Sequence, residues 1–221
     1  MQFSLNPRVL ALCFTISLSC FSMPAEDPDR DAVELSEIEK IVLSLTPDPR
    51  YPHDPFILAA LKEALRAKRE KSGGGVGACL VRESTGEIVE LGRNRQFAPH
   101  FRSDMHAEMD LLDRYEDRVK ITRPPGNTSY APRKMDGFVL FSSVEPCPMC
   151  LSRIINAGLK KTYYAAPDPE GGMVHKFDDL PAYWKNAGAG RIYAEADCSP
   201  AMKDVAARLF RHGQRYMKTG N

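Results

Sequence analysis

A chain of 221 residues makes one ordinary domain with a remainder, or two very small domains. With 43% hydrophobic and 27% charged residues it has average globular usage, which excludes a wholly disordered chain, a collagen-like repeat and a polytopic membrane protein. A formal net charge of +1 gives no global pull toward nucleic acid or an anionic membrane, and six cysteines are too sparse for a disulfide scaffold.

Residues 1–25 place one cation, Arg8, before an apolar stretch from Val9 to about Ser22, followed by small and turn-forming residues. That order is a secretory signal pattern, and the apolar run is too short to span a bilayer comfortably. Ser17-Leu-Ser-Cys20 loosely resembles a bacterial lipoprotein processing site, with the leucine one place late. The expectation is an exported protein, periplasmic or secreted. A lipid anchor at Cys20 and a cytoplasmic chain are the alternatives. Residues 26–53 form an acidic extension with one helix. Residues 26–50 hold eight acids and three bases, so residues 51–221 are mildly basic. That suits anionic substrates, and equally solvated helix faces.

Leu35, Ile38, Val42 and Leu45 stand at helical spacing within Ala32–Leu45. Four prolines in residues 46–55 break that helix, and Asp54-Pro55 starts a second through Leu61, Leu65 and Lys68, ending at Ser72–Gly75. Val76–Val81 and Ile88–Leu91, joined by Glu83–Glu87, form a hairpin. A third helix is capped by Ser103 or Asp104 and runs to about Tyr115. Residues 116–135 have no period and read as a long loop. Phe138–Ser142 is a buried strand, Pro146-Cys-Pro-Met-Cys150 opens a helix closed by Gly158, and Lys160–Ala165 and Arg191–Ala194 are strands. Met202–Arg211 is a terminal helix. This order predicts an α/β fold: a three-layer α/β/α sandwich around a mixed sheet of roughly five strands.

Four side chains carry the chemistry: His106, Glu108, Cys147 and Cys150. Cys-x-x-Cys lets two sulfurs bind one metal from a single turn. One imidazole brings the protein ligands of a zinc ion to three and leaves a position open for water, the mark of a catalytic rather than a structural site. Both cysteines fall near a helix amino terminus, which favours thiolates. Glu108 cannot easily share a metal with His106 but can reach a water on it, as a general base and acid. Taken singly, the motif fits a redox pair, a structural zinc clip or buried thiols equally well.

The combined His-x-Glu and Pro-Cys-x-x-Cys pattern resembles the zinc-dependent nucleoside and nucleobase deaminases of the cytidine deaminase-like superfamily. The resemblance covers roughly residues 54–212, the expected deaminase domain being residues 54–221. Val144-Glu-Pro-Cys-Pro-Met-Cys150 is similar to the Leu-Glu-Pro-Cys-x-Met-Cys style of tRNA adenosine deaminases and guanine deaminases, and Gly77-Ala-Cys-Leu-Val81 resembles the family's first strand. The resemblance implies Zn²⁺ on His106, Cys147 and Cys150, with Glu108 moving protons during hydrolytic release of ammonia. It also implies substrate contacts from Asn94, from the backbone N–H of Ala107 and from Asp168. Asn94 is as well explained as a turn residue after a strand. Asp168, between Pro167 and Pro169, is as well explained as a loop former. Phe101-Arg-Ser-Asp-Met105 replaces the family's usual Asp-Pro-x-Ala before His-Ala-Glu, and residues 116–135 are longer than in the compact tRNA enzymes. Both departures border the pocket.

An exported enzyme would not meet tRNA, so a small-molecule base, nucleoside or related amino-heterocycle is the expected substrate. Nucleic acid comes second. Arg208, Arg211, Arg215 and Lys218 could follow an RNA backbone or simply form a solvated face. A homodimer is expected by family analogy alone. A catalytically silent zinc module is a further alternative, against which Glu108 argues.

Overall fold

The computed structural model describes residues 28–121 and 135–218; the expected signal segment, residues 1–25, lies outside them. The chain runs α1 (Pro28–Ser44), α2 (Asp54–Arg69), β1 (Gly77–Arg82), β2 (Glu87–Arg93), α3 (Ala107–Ile121), β3 (Phe138–Val144), α4 (Pro148–Ala157), β4 (Lys161–Ala166), α5 (Ala182–Gly188), β5 (Ile192–Glu195) and α6 (Pro200–Lys218), with a 3-10 turn at Phe177–Asp179.

The sheet has five strands in the order β2-β1-β3-β4-β5. β1 is antiparallel to both β2 and β3, whereas β3, β4 and β5 are parallel, so the sheet is mixed as expected. Helices cover both faces. On one face α1, α2 and α6 enclose Ile38, Val42, Ile57, Leu61, Met202 and Leu209. On the other, α3 and α4 enclose Leu111, Leu112 and Ile154. The central strands serve both layers. Cys79 and Val81 of β1 enter the first core and Ala78 and Leu80 the second, which is why this strand reads as a continuous apolar run. The same parity in β3 sends Val139 and Phe141 one way and Leu140 the other, and residue 142 therefore faces α3.

Several boundaries differ from expectation. α3 begins at Ala107 rather than after a Ser103 or Asp104 cap, because the Asp104 carboxylate is taken by the Arg102 guanidinium. α3 also continues six residues past Tyr115. Arg118 reaches back to the Val89 carbonyl and Glu90, so the first part of the expected loop is helix. Residues 122–134 of that loop lie outside the described residues. α4 starts at Pro148, with Cys147 as its N-cap, and ends on Gly158, whose φ of 83° closes it. α6 extends to Lys218, beyond the expected Arg211. The short α5 carries too few periodic residues to be read from sequence. It is held by Trp184 and Ala187 packing on Leu151, Ile155 and Leu180. Among the described residues no helix is long and apolar enough to cross a membrane.

Candidate metal centre and the pocket around it

Three loops meet at the end of the sheet where β2, β3 and β4 finish and β1 begins, and each brings part of the site. His106 immediately precedes α3, Glu108 is in its first turn, and Cys147 and Cys150 sit at the N-cap and third position of α4. Helix starts leave backbone N–H groups without intrahelical partners, so both places favour negative charge. One ligand atom from each of His106, Cys147 and Cys150 lies within 4.8 Å of the others. The His106 Nδ1 to Cys147 Sγ distance is 3.6 Å. Zinc bonds to imidazole and thiolate imply ligand separations of about 3.5–3.8 Å, so one His and two Cys fit a single tetrahedral ion with its fourth position open. Glu108 lies outside this three-residue cluster.

The charge pattern suits such an ion. A hydrogen bond from Cys150 holds the Cys147 thiol down to about 4, against burial and with help from His106. The same hydrogen bond, together with burial, pushes the Cys150 thiol up. The bond to Cys147 outweighs burial and raises the His106 imidazole. Burial, followed by the Cys147 charge, raises the Glu108 carboxyl. Glu108 is 3% exposed, and its Oε1 accepts a 2.9 Å hydrogen bond from the fully buried Ser142 hydroxyl.

A cavity of about 130 Å³ opens beside this cluster, lined by His106, Glu108 and Cys147 together with Asn94, Gln96 and Asp168. Apolar surface comes from Val76, Val144 and Phe210. Asn94 is buried just after β2, and its Oδ1 accepts from the Gln96 backbone N–H while its Nδ2 donates to Gln96 Oε1. Asp168 is likewise buried, and its Oδ1 accepts from the Gly171 and Glu170 N–H groups. The carboxylate thus both forms its loop and lines the cavity. Ala107 is the first residue of α3, with its side chain in the second core.

Sequence reading missed three contributors. Ser142 was read only as the end of a strand. Its signal was a hydroxyl at a parity that faces α3. Phe210 belongs to a terminal helix that gave no reason to suspect a pocket. Glu145, within the recognised motif, had no role assigned. Its buried carboxylate accepts from the Asp168 N–H at 3.1 Å, the His175 N–H at 2.9 Å and the His175 ring Nδ1 at 2.7 Å. Burial alone would raise this carboxyl, but the His175 and Asp168 donors outweigh it and hold it below the usual range.

Of the four described cysteines, Cys79, Cys150 and Cys198 are buried and none forms a disulfide. Cys13 and Cys20 lie outside the described residues. Of the terminal basic residues, Arg215 is engaged with Glu34 and Asp31 of α1, and the Lys218 side chain lies outside the described residues.

The chain resembles known proteins in sequence and fold. The chain is 32% identical to the tRNA-specific adenosine deaminase of Bacillus subtilis over 117 residues, 53% of this chain and 63% of that protein. It is 30% identical to the guanine deaminase of Bacillus subtilis over 131 residues, 59% of this chain and 74% of that protein. A solved structure from a study of A-to-I editing by tRNA:A34 deaminases at the wobble position superposes with a TM-score of 0.52 and 26% identity, covering 70% of this chain and 98% of that one. Residues 51–166, a little over half the chain, match the family described as the cytidine and deoxycytidylate deaminase zinc-binding region. With the fold, the ligand cluster and the buried glutamate in agreement, the chain belongs to that cytidine and deoxycytidylate deaminase family.

Proposed function

We propose that the protein is a zinc-dependent hydrolytic deaminase of a free nucleobase, nucleoside or related amino-heterocycle. One observation carries this reading: His106 and Cys147 of the three-residue cluster they form with Cys150, together with the buried Glu108, border one cavity of about 130 Å³. His106, Cys147 and Cys150 would hold the ion. When bound, zinc supplies Lewis acidity that makes water nucleophilic near neutral pH. In the net reaction, water adds to the amidine carbon of the ring, the C–N bond to the exocyclic amine breaks, and ammonia leaves a carbonyl behind. Glu108 is the proton carrier. Ser142 occupies Oε1, so the other carboxylate oxygen would take one proton from water and deliver it to the ring nitrogen, then take the remaining hydroxyl proton as the carbonyl forms and deliver it to the departing amine. Asn94, Asp168 and the backbone N–H of Ala107 would orient the base.

A tRNA adenosine-to-inosine editing activity is the second reading, favoured by the likeness to the tRNA-specific enzyme and to the A-to-I editing structure. Against it, Arg215 is committed to α1 rather than presented to a phosphate backbone. Export rests on the pattern of residues 1–25, and homodimer assembly on family analogy. N-terminal sequencing of secreted material, expected to begin between Ser19 and Asp27, and sedimentation of the purified chain test these two. The function itself is tested by ammonia release from guanine, adenine, adenosine, cytosine, cytidine and a tRNA anticodon stem-loop. Turnover of a small substrate supports the first reading. Turnover of the stem-loop alone would replace it with the second.

A further inference from the structure

Asp110 is fully buried in the first turn of α3, and it belongs neither to the metal-ligand cluster nor to the cavity lining. Its backbone N–H donates to the His106 carbonyl at 2.9 Å, so it shares the turn that carries Glu108. Its carboxylate reaches out of the helix. Oδ2 accepts from the Arg93 backbone N–H at 3.1 Å, and Oδ1 accepts from the Arg95 guanidinium at 3.3 Å. The residue between those two contacts is Asn94, which lines the cavity. The neighbouring contacts narrow its place further. A Cβ at Gly92 would stand 2.4 Å from the Ala107 carbonyl oxygen and 2.7 Å from the Leu111 nitrogen, so the end of β2 rests directly on the start of α3. The Arg93 guanidinium turns away to Glu63 and Glu70, and the Arg95 N–H donates to the Met105 carbonyl at 2.9 Å. Replacing a buried ion pair by well-packed apolar residues is often neutral or stabilising. What a carboxylate adds here is a fixed distance between two segments that carry different parts of the site.

We propose that Asp110 is a positioning residue: it straps residues 93–95 to the first turn of α3 and so holds the Asn94 side chain in place against Glu108. The inference rests on the deaminase reading above, in which Asn94 orients the base and Glu108 moves protons. The test uses the full chain loaded with zinc, in wild-type form and as Asp110→Ala, Asp110→Asn, Arg95→Met, Asn94→Ala, and with Asn94→Ala added to Asp110→Ala and to Arg95→Met. Alanine is the better helix former, so Asp110→Ala should leave α3 itself intact. Amide hydrogen exchange, zinc content, and kcat and KM for ammonia release from guanine, adenine, adenosine, cytosine and cytidine are measured. Asp110→Ala should speed exchange at residues 93–96 and leave zinc content unchanged. It should raise KM about tenfold, with kcat within about threefold. Asp110→Asn keeps an acceptor for the Arg93 N–H and should recover most of that rise. The decisive readout is coupling: once Asn94→Ala is present, Asp110→Ala should raise KM by less than about twofold more. KM effects that multiply in the double variant, or a wild-type KM in Asp110→Ala, overturn the positioning role. Unchanged exchange at residues 93–96 overturns the strap itself. Where Asp110→Ala does not fold, Arg95→Met cuts one arm alone, and the same coupling to Asn94→Ala decides. A wild-type protein that releases ammonia from none of the five compounds fails at the earlier step, the base-deaminase reading, and the strap is then judged on exchange.

Discussion

Ser142 Oγ stands 2.9 Å from Glu108 Oε1, with both side chains closed to solvent. A hydrogen bond to a charged group is worth about 1.5–3 kcal/mol, or about a ten- to hundredfold rate effect when it orients a proton carrier. Ser142→Ala should lower kcat by that factor while KM and zinc content stay near wild type, and Ser142→Thr should recover most of the loss. A Ser142→Ala enzyme with wild-type kcat would remove the hydroxyl from the mechanism. If the carboxylate moves protons without ligating the metal, as proposed, Glu108→Ala should abolish ammonia release and keep zinc.

Glu145 ties the loop that carries Asp168 to the strand that leads to Cys147. Removing it strands the Asp168 and His175 N–H groups, and a buried unpaired donor costs about 1–3 kcal/mol. Glu145→Ala is therefore expected to lose about 2–5 kcal/mol of stability, seen as a lower denaturant midpoint. The half-exposed His175 supplies only one arm, and His175→Ala should lower stability less while raising KM. Equal stability losses in the two variants would contradict this division.

His53 links stability to pH. Its Nδ1 accepts the Asp197 N–H at 2.9 Å, and burial lowers its pKa below the ordinary 6.5 despite the opposing Asp197 charge. The unfolded chain thus binds the proton more readily than the folded one. This contribution to stability is complete above pH 6.5 and declines as pH falls below it, toward the folded pKa. Urea unfolding between pH 8 and pH 5 should show the decline, and it should flatten in His53→Asn. A wild-type profile identical to that of His53→Asn would exclude His53 as its source.

Zinc removal should expose one reactive thiol before any other. Cys147 is half-buried with its pKa held down to about 4, whereas burial raises the Cys198 thiol to about 11 and the Cys79 thiol higher still. In a Cys13→Ser/Cys20→Ser background, chelator followed by iodoacetamide should alkylate Cys147 first, and mild oxidation should join Cys147 to Cys150. Zinc should suppress both, and it should raise the melting temperature by ligand linkage. Equal labelling with and without zinc would argue against metal ligation by Cys147.

The candidate metal cluster and the five strands were legible because each is local. Cys147 and Cys150 share a turn, His106 and Glu108 share another, and each strand is a short apolar run. What escaped were relationships between distant segments. Nothing near Phe210 announces a pocket, because its helix is placed by packing against α1, some 170 residues earlier. The end of α3 escaped because Arg118 is satisfied by Val89 and Glu90 on a neighbouring strand rather than by its own sequence neighbours. Asn94 and Asp168 were open between a turn role and a pocket role. Both fill the two at once, each folding its loop with the side chain that lines the cavity.

The alternation along β3 has a consequence for what the gene can tolerate. Leu140 and Ser142 face the α3 layer only because this strand is pinned on both sides, residue by residue, to β1 and β4. One codon inserted between Val139 and Ser142 would exchange the two faces, turning the Ser142 hydroxyl toward the α2 layer and presenting the apolar Phe141 to Glu108. The exposed turn at residues 83–86 joins the edge strand to β1 far from the metal cluster and imposes no such parity. Length changes should therefore accumulate in that turn and be purged from β3, so that sheet register acts as a hidden reading frame for the active carboxylate.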